Sequence, residues 1–343
     1  MIGAATSLSS RHQHVALEEA SGVAQARRAV ARLAALAGLD ETTTGKAALA
    51  VTEAGTNIVK HARTGWIVAR LLQHGSAFGI EILGIDKGPG IVNVQASMRD
   101  GHSTAGTLGG GLGALQRIST VFDLWTRPSA GTVVRMEIWK TAPAADQPLT
   151  LGSVCVEKAG EPICGDAWCV AQGRGNVAVF VVDGLGHGPD AAEAARAAIE
   201  TVQGNVERSA GDIMDAVHRS LRPTRGAAAA LALLQPESEL CTFCGIGNVS
   251  VSIRDTAGSR SLVSHNGTLG HQIRKLQEFT YPFRADALLV MHTDGVGTRW
   301  DLGGYPGIDM RHPAVAAALL YRDFSRGRDD ATVLALRNRR GRA

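Results

Sequence analysis

Val177-Ala178-Val179-Phe180-Val181-Val182-Asp183-Gly184-Leu185-Gly186-His187-Gly188 is an apolar run that ends in an aspartate and a glycine-rich turn. A run this continuous in Val and Phe predicts a strand covered on both faces, with Asp183 emerging where the chain must turn. An isolated Asp-Gly after a strand is ordinarily a turn and nothing more. Here the pattern recurs. His292-Thr293-Asp294-Gly295 follows the apolar residues 287–291, Asp329-Asp330-Ala331-Thr332 precedes the apolar residues 333–336, and Asp166 follows Gly165 one strand earlier. Carboxylates gathered at the ends of buried strands repel, so one must take up a proton unless cations lie between them. Hard ions that prefer oxygen, Mg²⁺ or Mn²⁺, meet that need, and two of them sharing a water make an apparatus for phosphate hydrolysis.

In order and spacing these four segments resemble the motifs of the protein phosphatase 2C superfamily, in its bacterial SpoIIE-like branch of serine/threonine phosphatases. The resemblance implies an α-β-β-α sandwich and two divalent metals. Carried onto this chain, Asp183 is the catalytic ligand that bridges both metals and Gly184 lends its carbonyl. Asp294 and Asp329 bind the second metal, and Asp166 holds the first directly or through water. Asp330 is the alternative that supports a ligand rather than being one. Residues 225–227 and 245–249 resemble the stress-response phosphatases of this branch, whose substrates are small phosphorylated regulators.

The chain has 343 residues, enough for two domains of ordinary size. Its formal net charge of +3 is too small to argue for nucleic acid. Only the end is basic, with Arg337, Arg339, Arg340 and Arg342, which read as a solvated tail. Five cysteines, an odd number, and no evident export signal at the start point to a reducing compartment, so a cytoplasmic location is expected. Cys241-Thr242-Phe243-Cys244 lacks a second ligand pair and reads as a strand with buried thiols. No apolar stretch approaches the roughly 20 residues that a membrane helix needs.

Earlier in the chain, residues 14–37 are Ala-rich with apolar positions at helical intervals, which predicts a helix ended by Gly38. A second helix is expected after Thr42, Thr43 and Thr44, which offer capping hydroxyls, and runs on to His61. Glu53, Asn57 and His61 stand four apart and so form one slanting polar stripe on that helix. Strand-like residues 66–72 and 78–85 follow, the second delivering Asp86-Lys87-Gly88-Pro89-Gly90. Then comes Gly106-Thr107-Leu108-Gly109-Gly110-Gly111-Leu112-Gly113 before an apolar helix start. Glycine-rich backbone at a helix N-terminus presents free N–H groups to phosphate, although the lysine of a P-loop is absent.

Taken together these segments resemble the three ATP-binding boxes of the GHKL superfamily, and residues 116–134 resemble its compact serine kinases of anti-sigma switches. The resemblance implies a Bergerat-type α/β sandwich binding ATP. Asn57 then holds Mg²⁺ against the phosphates, Asp86 accepts the adenine amino group, and Gly88 and Gly90 shape the pocket. Gly109, Gly111 and Gly113 close over the triphosphate, and His61 either touches phosphate or packs. Glu53 is the catalytic residue that orients or deprotonates the attacking serine hydroxyl.

The expected organisation is α+β: a GHKL kinase-like domain over residues 12–140, a Pro-containing linker at 141–148, and a phosphatase domain over 149–337. In the last, helices are expected at 190–208 and 212–221, with strands near 226–234, 240–245, 249–254, 261–265 and 287–291. The pairing implies a switch regulator that phosphorylates and dephosphorylates STAS-domain proteins with ATP, Mg²⁺ and Mn²⁺, in an anti-sigma or stressosome-like assembly. Two alternatives stand beside it: a phosphatase with an ATP-sensing domain, and a module that sequesters a partner without catalysis.

Overall fold

A computed structural model describes residues 12–98, 111–143 and 149–339. The chain divides into two compact units. One holds His12–Ala145 together with Leu302–Arg322, and the other includes Asp146–Asp301 and Asp323–Ala343.

The first unit is built on one antiparallel sheet in the order β1 (His12–Leu17), β2 (Gly65–His74), β3 (Ala77–Asp86), β5 (Thr132–Trp139), β4 (Val121–Thr126). Helices α1 (Ala20–Leu36), α2 (Glu41–Asn57), α3 (Val94–Ser97) and α4 (Leu112–Ile118) complete its first stretch. Alternate residues of the strands, among them Ile67, Ala69, Ile80, Ile82, Val134 and Met136, share a core with Val30, Leu33, Ala50 and Val51 of the helices. The helix expected over 14–37 therefore starts late. Residues 12–17 pair with β2, from His12 opposite Arg70 to Leu17 opposite Gly65. Val15 and Leu17 alternate into the core, so sheet pairing overrides the helical spacing of the Ala-rich segment. Gly38, with φ +61°, follows the end of α1 as expected. The start of α2 differs from the expectation: Asp40, not a threonine hydroxyl, caps it by accepting from the Thr43 N–H at 2.8 Å.

The second unit is a sandwich of two five-stranded sheets. One runs β13 (Phe279–Pro282), β10 (Leu240–Ile246), β9 (Ala227–Gln235), β8 (Val177–Gly184), β7 (Asp166–Gln172). The other runs β12 (Gly258–Ser261), β11 (Ser250–Asp255), β14 (Leu288–His292), β15 (Ala331–Asn338), β6 (Leu149–Val156). Val179, Val181 and Phe243 of the first sheet meet Leu289, Met291 and Leu334 of the second in one core. Phe180, Val182 and Leu231 point the other way, onto α5 (Pro189–Gln203) and α6 (Ala210–Ser220). With β8 covered on both faces, its unbroken apolar run is explained. Cys241 and Cys244 lie in β10 as buried thiols, which burial pushes up to about 12 and about 11. The strand expected near 261–265 is instead the end of a hairpin, with Asp255 opposite Gly258, and stops at Ser261.

Residues 302–322 fall within the span 149–337 expected for the phosphatase domain, yet they pack into the first unit, because their apolar face is buried there. Two short 3₁₀ turns lead into α7 (Pro313–Phe324), whose residues 313–322 are all buried. The contacts fall on the sheet face away from α1 and α2. Trp125 donates its indole N–H to the Pro306 carbonyl at 3.1 Å, and Tyr321 meets His14 Nε2 at 3.1 Å. Asp123 accepts from Arg311 at 3.1 Å and from the His312 N–H at 2.8 Å. An antiparallel sheet of this kind commonly leaves one face to water. Here that face carries a buried ion cluster, in which Glu81 accepts from Arg70 at 2.6 Å and from Arg135 at 2.7 Å.

Candidate metal centre and nucleotide pocket

Sheet register sets the heart of the first site. Asp166 and Asp183 stand directly opposite each other on β7 and β8. Opposed residues in an antiparallel pair project from the same side, and two charges about 5 Å apart at an effective dielectric near 20 repel by roughly 3 kcal/mol. The electrostatics follow that arithmetic. Burial, then Asp294, Asp329 and Asp330, push the Asp183 carboxyl up to about 7. Burial and then Asp183 raise Asp166 well above the usual carboxylate range, against the pull of its hydrogen bonds.

The other two motifs are stitched to this pair. Thr293 is fully buried; its hydroxyl donates to Asp166 Oδ2 at 2.7 Å and accepts from the Thr332 N–H at 3.0 Å. Gly295 is needed for a close approach, because a Cβ there would run into the Asp330 carbonyl. Asp294 and Asp329 are thus carried to one end of the sandwich with Asp183, while the Gly184 N–H donates to the Gly165 carbonyl at 3.2 Å. Asp330 turns inward, accepting from the Lys158 and Gly165 N–H groups at 2.8 and 2.9 Å, so it braces the loop before Asp166. His187 pairs with Glu161 at 2.7 Å, and His292 is held between the Thr293 carbonyl and the Trp300 indole.

The donor set fits hard divalent cations: all oxygens, with mutual repulsion that only protons or cations relieve. Among the described residues, no three His, Cys, Asp or Glu side chains yet stand around one point closely enough to hold an ion. Asn248, which lies in the segment 245–249 but carries no expected role of its own there, donates to Asp294 Oδ2 at 2.6 Å. It orients that carboxylate, so Asn248→Ala is expected to weaken Mn²⁺ binding by about 10–100-fold, read by titration with the ion.

The second site is a cavity of about 470 Å³ in the first unit, lined by Asn57, Ile58, His61, Asp86, Gly90, Gly111, Leu112 and Thr132, among others. Asp86 ends β3, and its Oδ1 accepts from the Gly88 N–H at 2.7 Å and the Thr132 N–H at 3.2 Å. Burial raises its carboxyl, while those two bonds oppose the rise. Gly90, at φ +68°, lies where a Cβ would strike the Arg127 carbonyl, which keeps the loop against the β4–β5 turn. The polar stripe is not the simple α-helical one expected. After Asn57 the helix widens into a π turn, Ile58–Ala62, which alters the rotation per residue and sets His61 beside Asn57 on the cavity wall. Glu53, one turn earlier, is absent from that wall. Gly111 caps α4 and Gly113 lies in its first turn, whereas Gly109 lies outside the described residues. A larger hollow of about 640 Å³ lies between α1 and α2, lined by Arg27, Arg28, Lys60 and apolar groups. Its polar lining is cationic or hydroxylic, with Thr52 and Thr56 beside the basic groups, whereas the smaller cavity presents the carboxylate of Asp86.

Residues 16–138 match the family described as histidine kinase-like ATPase domain, and residues 173–339 match stage II sporulation protein E, SpoIIE. The chain belongs to the histidine kinase-like ATPase family over the first span and to the SpoIIE family of protein phosphatase 2C-type domains over the second. Among known proteins it is similar to the serine/threonine-protein kinase RsbT of Bacillus subtilis, 33% identical over 90 residues, or 26% of this chain and 68% of RsbT. It is likewise similar to the phosphoserine phosphatase RsbX of the same organism, 25% identical over 142 residues, 41% of this chain and 71% of RsbX. A solved structure reported with the bacterial stressosome, a modular system adapted to control secondary messenger signalling, superposes with a TM-score of 0.53. It is 29% identical and covers 56% of this chain and all of its own. No helix among the described residues is long and apolar enough to cross a membrane.

Proposed function

We propose that the chain is a bifunctional switch regulator, whose SpoIIE-type domain removes phosphate from serine or threonine of STAS-domain proteins and whose ATPase-type domain restores it. The observation that carries the phosphatase half is the opposed Asp166–Asp183 pair, tied through Thr293 to the Asp294 turn. In this reading Asp183 and the Gly184 carbonyl, with Asp166, Asp294 and Asp329, hold two divalent ions. When bound, such ions supply an activated water and neutralise the phosphate. The residues' own part is to aim the carboxylate oxygens, with Thr293 and Asn248 fixing the directions of Asp166 and Asp294.

For the kinase half, Asp86 reads the adenine amino group, Asn57 and His61 face the phosphates, and Gly88, Gly90, Gly109, Gly111 and Gly113 shape or close the pocket. Glu53 takes the proton from the attacking serine hydroxyl as the bond from the γ-phosphorus to the bridging oxygen breaks, and ADP leaves. Such transfer asks mainly for placement and charge neutralisation. The proposed domains are residues 12–140 and 149–337, the second interrupted by residues 302–322, which pack with the first, in the cytoplasm and within an assembly resembling the stressosome.

The test is to incubate the full chain with ATP, Mg²⁺ and a STAS-domain protein encoded beside it. Phosphoprotein should accumulate with Asp183→Asn and fail to form with Glu53→Ala, while Glu53→Ala still binds ATP and Asp86→Asn does not. No phosphoprotein in either variant sinks the kinase half. A second reading, an ATP-sensing domain that governs the phosphatase, is favoured by residues 302–322, which join the ATPase-type unit yet lie in sequence between Asp294 and Asp329.

A further inference from the structure

Arg322 is almost fully buried, 6% exposed, and its Nη1 donates to the carbonyl of Asp86 at 3.0 Å while its guanidinium lies 5.5 Å from the Trp125 ring centre. Asp86 is the residue whose side chain faces the nucleotide cavity. Its two ends are therefore held differently. The carboxylate is braced by Gly88 and Thr132 from its own domain, and the peptide carbonyl by a residue that arrives from far down the chain. Gly131 leaves the room for this, since a Cβ there would crowd both the Asp86 carbonyl and Arg322 Nη1.

The path of the segment that carries Arg322 matters as much as the contact. It departs just after Asp294 and returns just before Asp329, both proposed ligands of the second metal. At its base Val296 bridges Ser325, the Gly297 N–H donates to the Phe324 carbonyl at 2.9 Å, and the Arg326 N–H donates to the Gly295 carbonyl at 2.8 Å. This neck holds departing and returning chain together next to Asp294. A shift of α7 is thus delivered to a short hydrogen-bonded base with a metal ligand on either side.

We infer that Arg322 is a positioning residue for the nucleotide pocket, and that through it the segment 302–322 links nucleotide occupancy to the geometry of the Asp294 and Asp329 carboxylates. The inference rests on the reading of the Asp86 cavity as an ATP site. Linkage is reciprocal: if nucleotide changes the affinity for the divalent ion, the ion changes nucleotide affinity by the same factor. The positive charge of Arg322 also favours an ionised Asp86, the form that accepts from an amino group.

The probe is the non-hydrolysable analogue AMP-PNP, on the full chain. Calorimetry should give an affinity about tenfold weaker for Arg322→Ala, as loss of one hydrogen bond from a charged donor predicts, with partial recovery in Arg322→Lys. In the unaltered chain AMP-PNP should slow amide hydrogen exchange over residues 313–322 and change Mn²⁺ affinity beyond the change seen in Asp294→Asn, where only the nucleotide-borne ion responds, and Arg322→Ala should lose that excess. The exchange experiment needs no variant, so misfolding of Arg322→Ala leaves it decisive. AMP-PNP that binds the unaltered chain but leaves both exchange and Mn²⁺ affinity unmoved overturns the link and spares the ATP site. An unaltered chain that binds no AMP-PNP overturns both.

Discussion

Asp183→Asn is expected to cut Mn²⁺-dependent phosphate release by roughly 10³-fold or more, about 4 kcal/mol of transition-state stabilisation, and yet to make the chelated protein more stable above neutral pH. Both effects come from one carboxylate. In the metal-free state burial and three neighbouring aspartates raise it to about 7, above its unfolded value near 3.8. A carboxyl raised by folding binds its proton more tightly in the native state. Its favourable contribution is complete below pH about 4 and drains away as the pH climbs through about 7. The asparagine carries no charge, so it escapes that loss. Unfolding midpoints in EDTA should coincide for the two proteins near pH 4 and favour Asp183→Asn near pH 8, and Mn²⁺ should reverse the order at pH 8. If the unaltered protein remains the more stable at pH 8 in EDTA, the mutual repulsion argued for this site is absent.

The second large effect concerns stability alone. Glu81→Ala removes the single carboxylate that Arg70 and Arg135 share, in a cluster where all three side chains are no more than 3% exposed. Removing the carboxylate between Arg70 and Arg135 costs about 3 kcal/mol, the low end for a broken buried pair because Glu137 still holds Arg135, so a fall in the unfolding midpoint of about 10 °C is expected by calorimetry. Replacing the three together by Leu and Met of similar volume should recover most of it, since an apolar cluster avoids the desolvation that the ions suffer. Burial alone would raise the Glu81 carboxyl, but Arg70 and then Arg135 overcome it and hold the group well below the usual range. Its stabilising contribution is therefore full above the unfolded value near 4.5 and is lost as the pH falls toward the folded one. Acid melts of the triple replacement should lack that component.

What the sequence could convey depended on the range of the interaction involved. Asp183 and Asp166 were legible because an apolar run and the turn after it are local, and the register that opposes them follows from one tight β7–β8 connection. Asp86 was legible for the same reason, at the end of β3. Residues 12–17 misled because their strand exists only by pairing with β2, some fifty residues on. The π turn at Ile58–Ala62 leaves no mark in a four-residue spacing that an α-helix would satisfy equally. Asn248 is one exposed amide whose meaning lies in a partner, Asp294, in the turn after β14. The Ala-rich α7, with Pro313 in its first turn, carries no expectation from the sequence, and nothing local ties it to the unit formed by residues 12–145.

That assignment bears on how the protein can be taken apart. A recombinant piece cut within the linker after residue 143 would keep every ATP-box residue and still lack Pro306 and Tyr321, which contact Trp125, His14 and the Trp66 ring. Such a piece should be sticky and prone to precipitate, and its failure to bind nucleotide would say nothing about the intact enzyme. Splicing residues 302–322 back onto it through a short Gly/Ser tether is the sounder dissection.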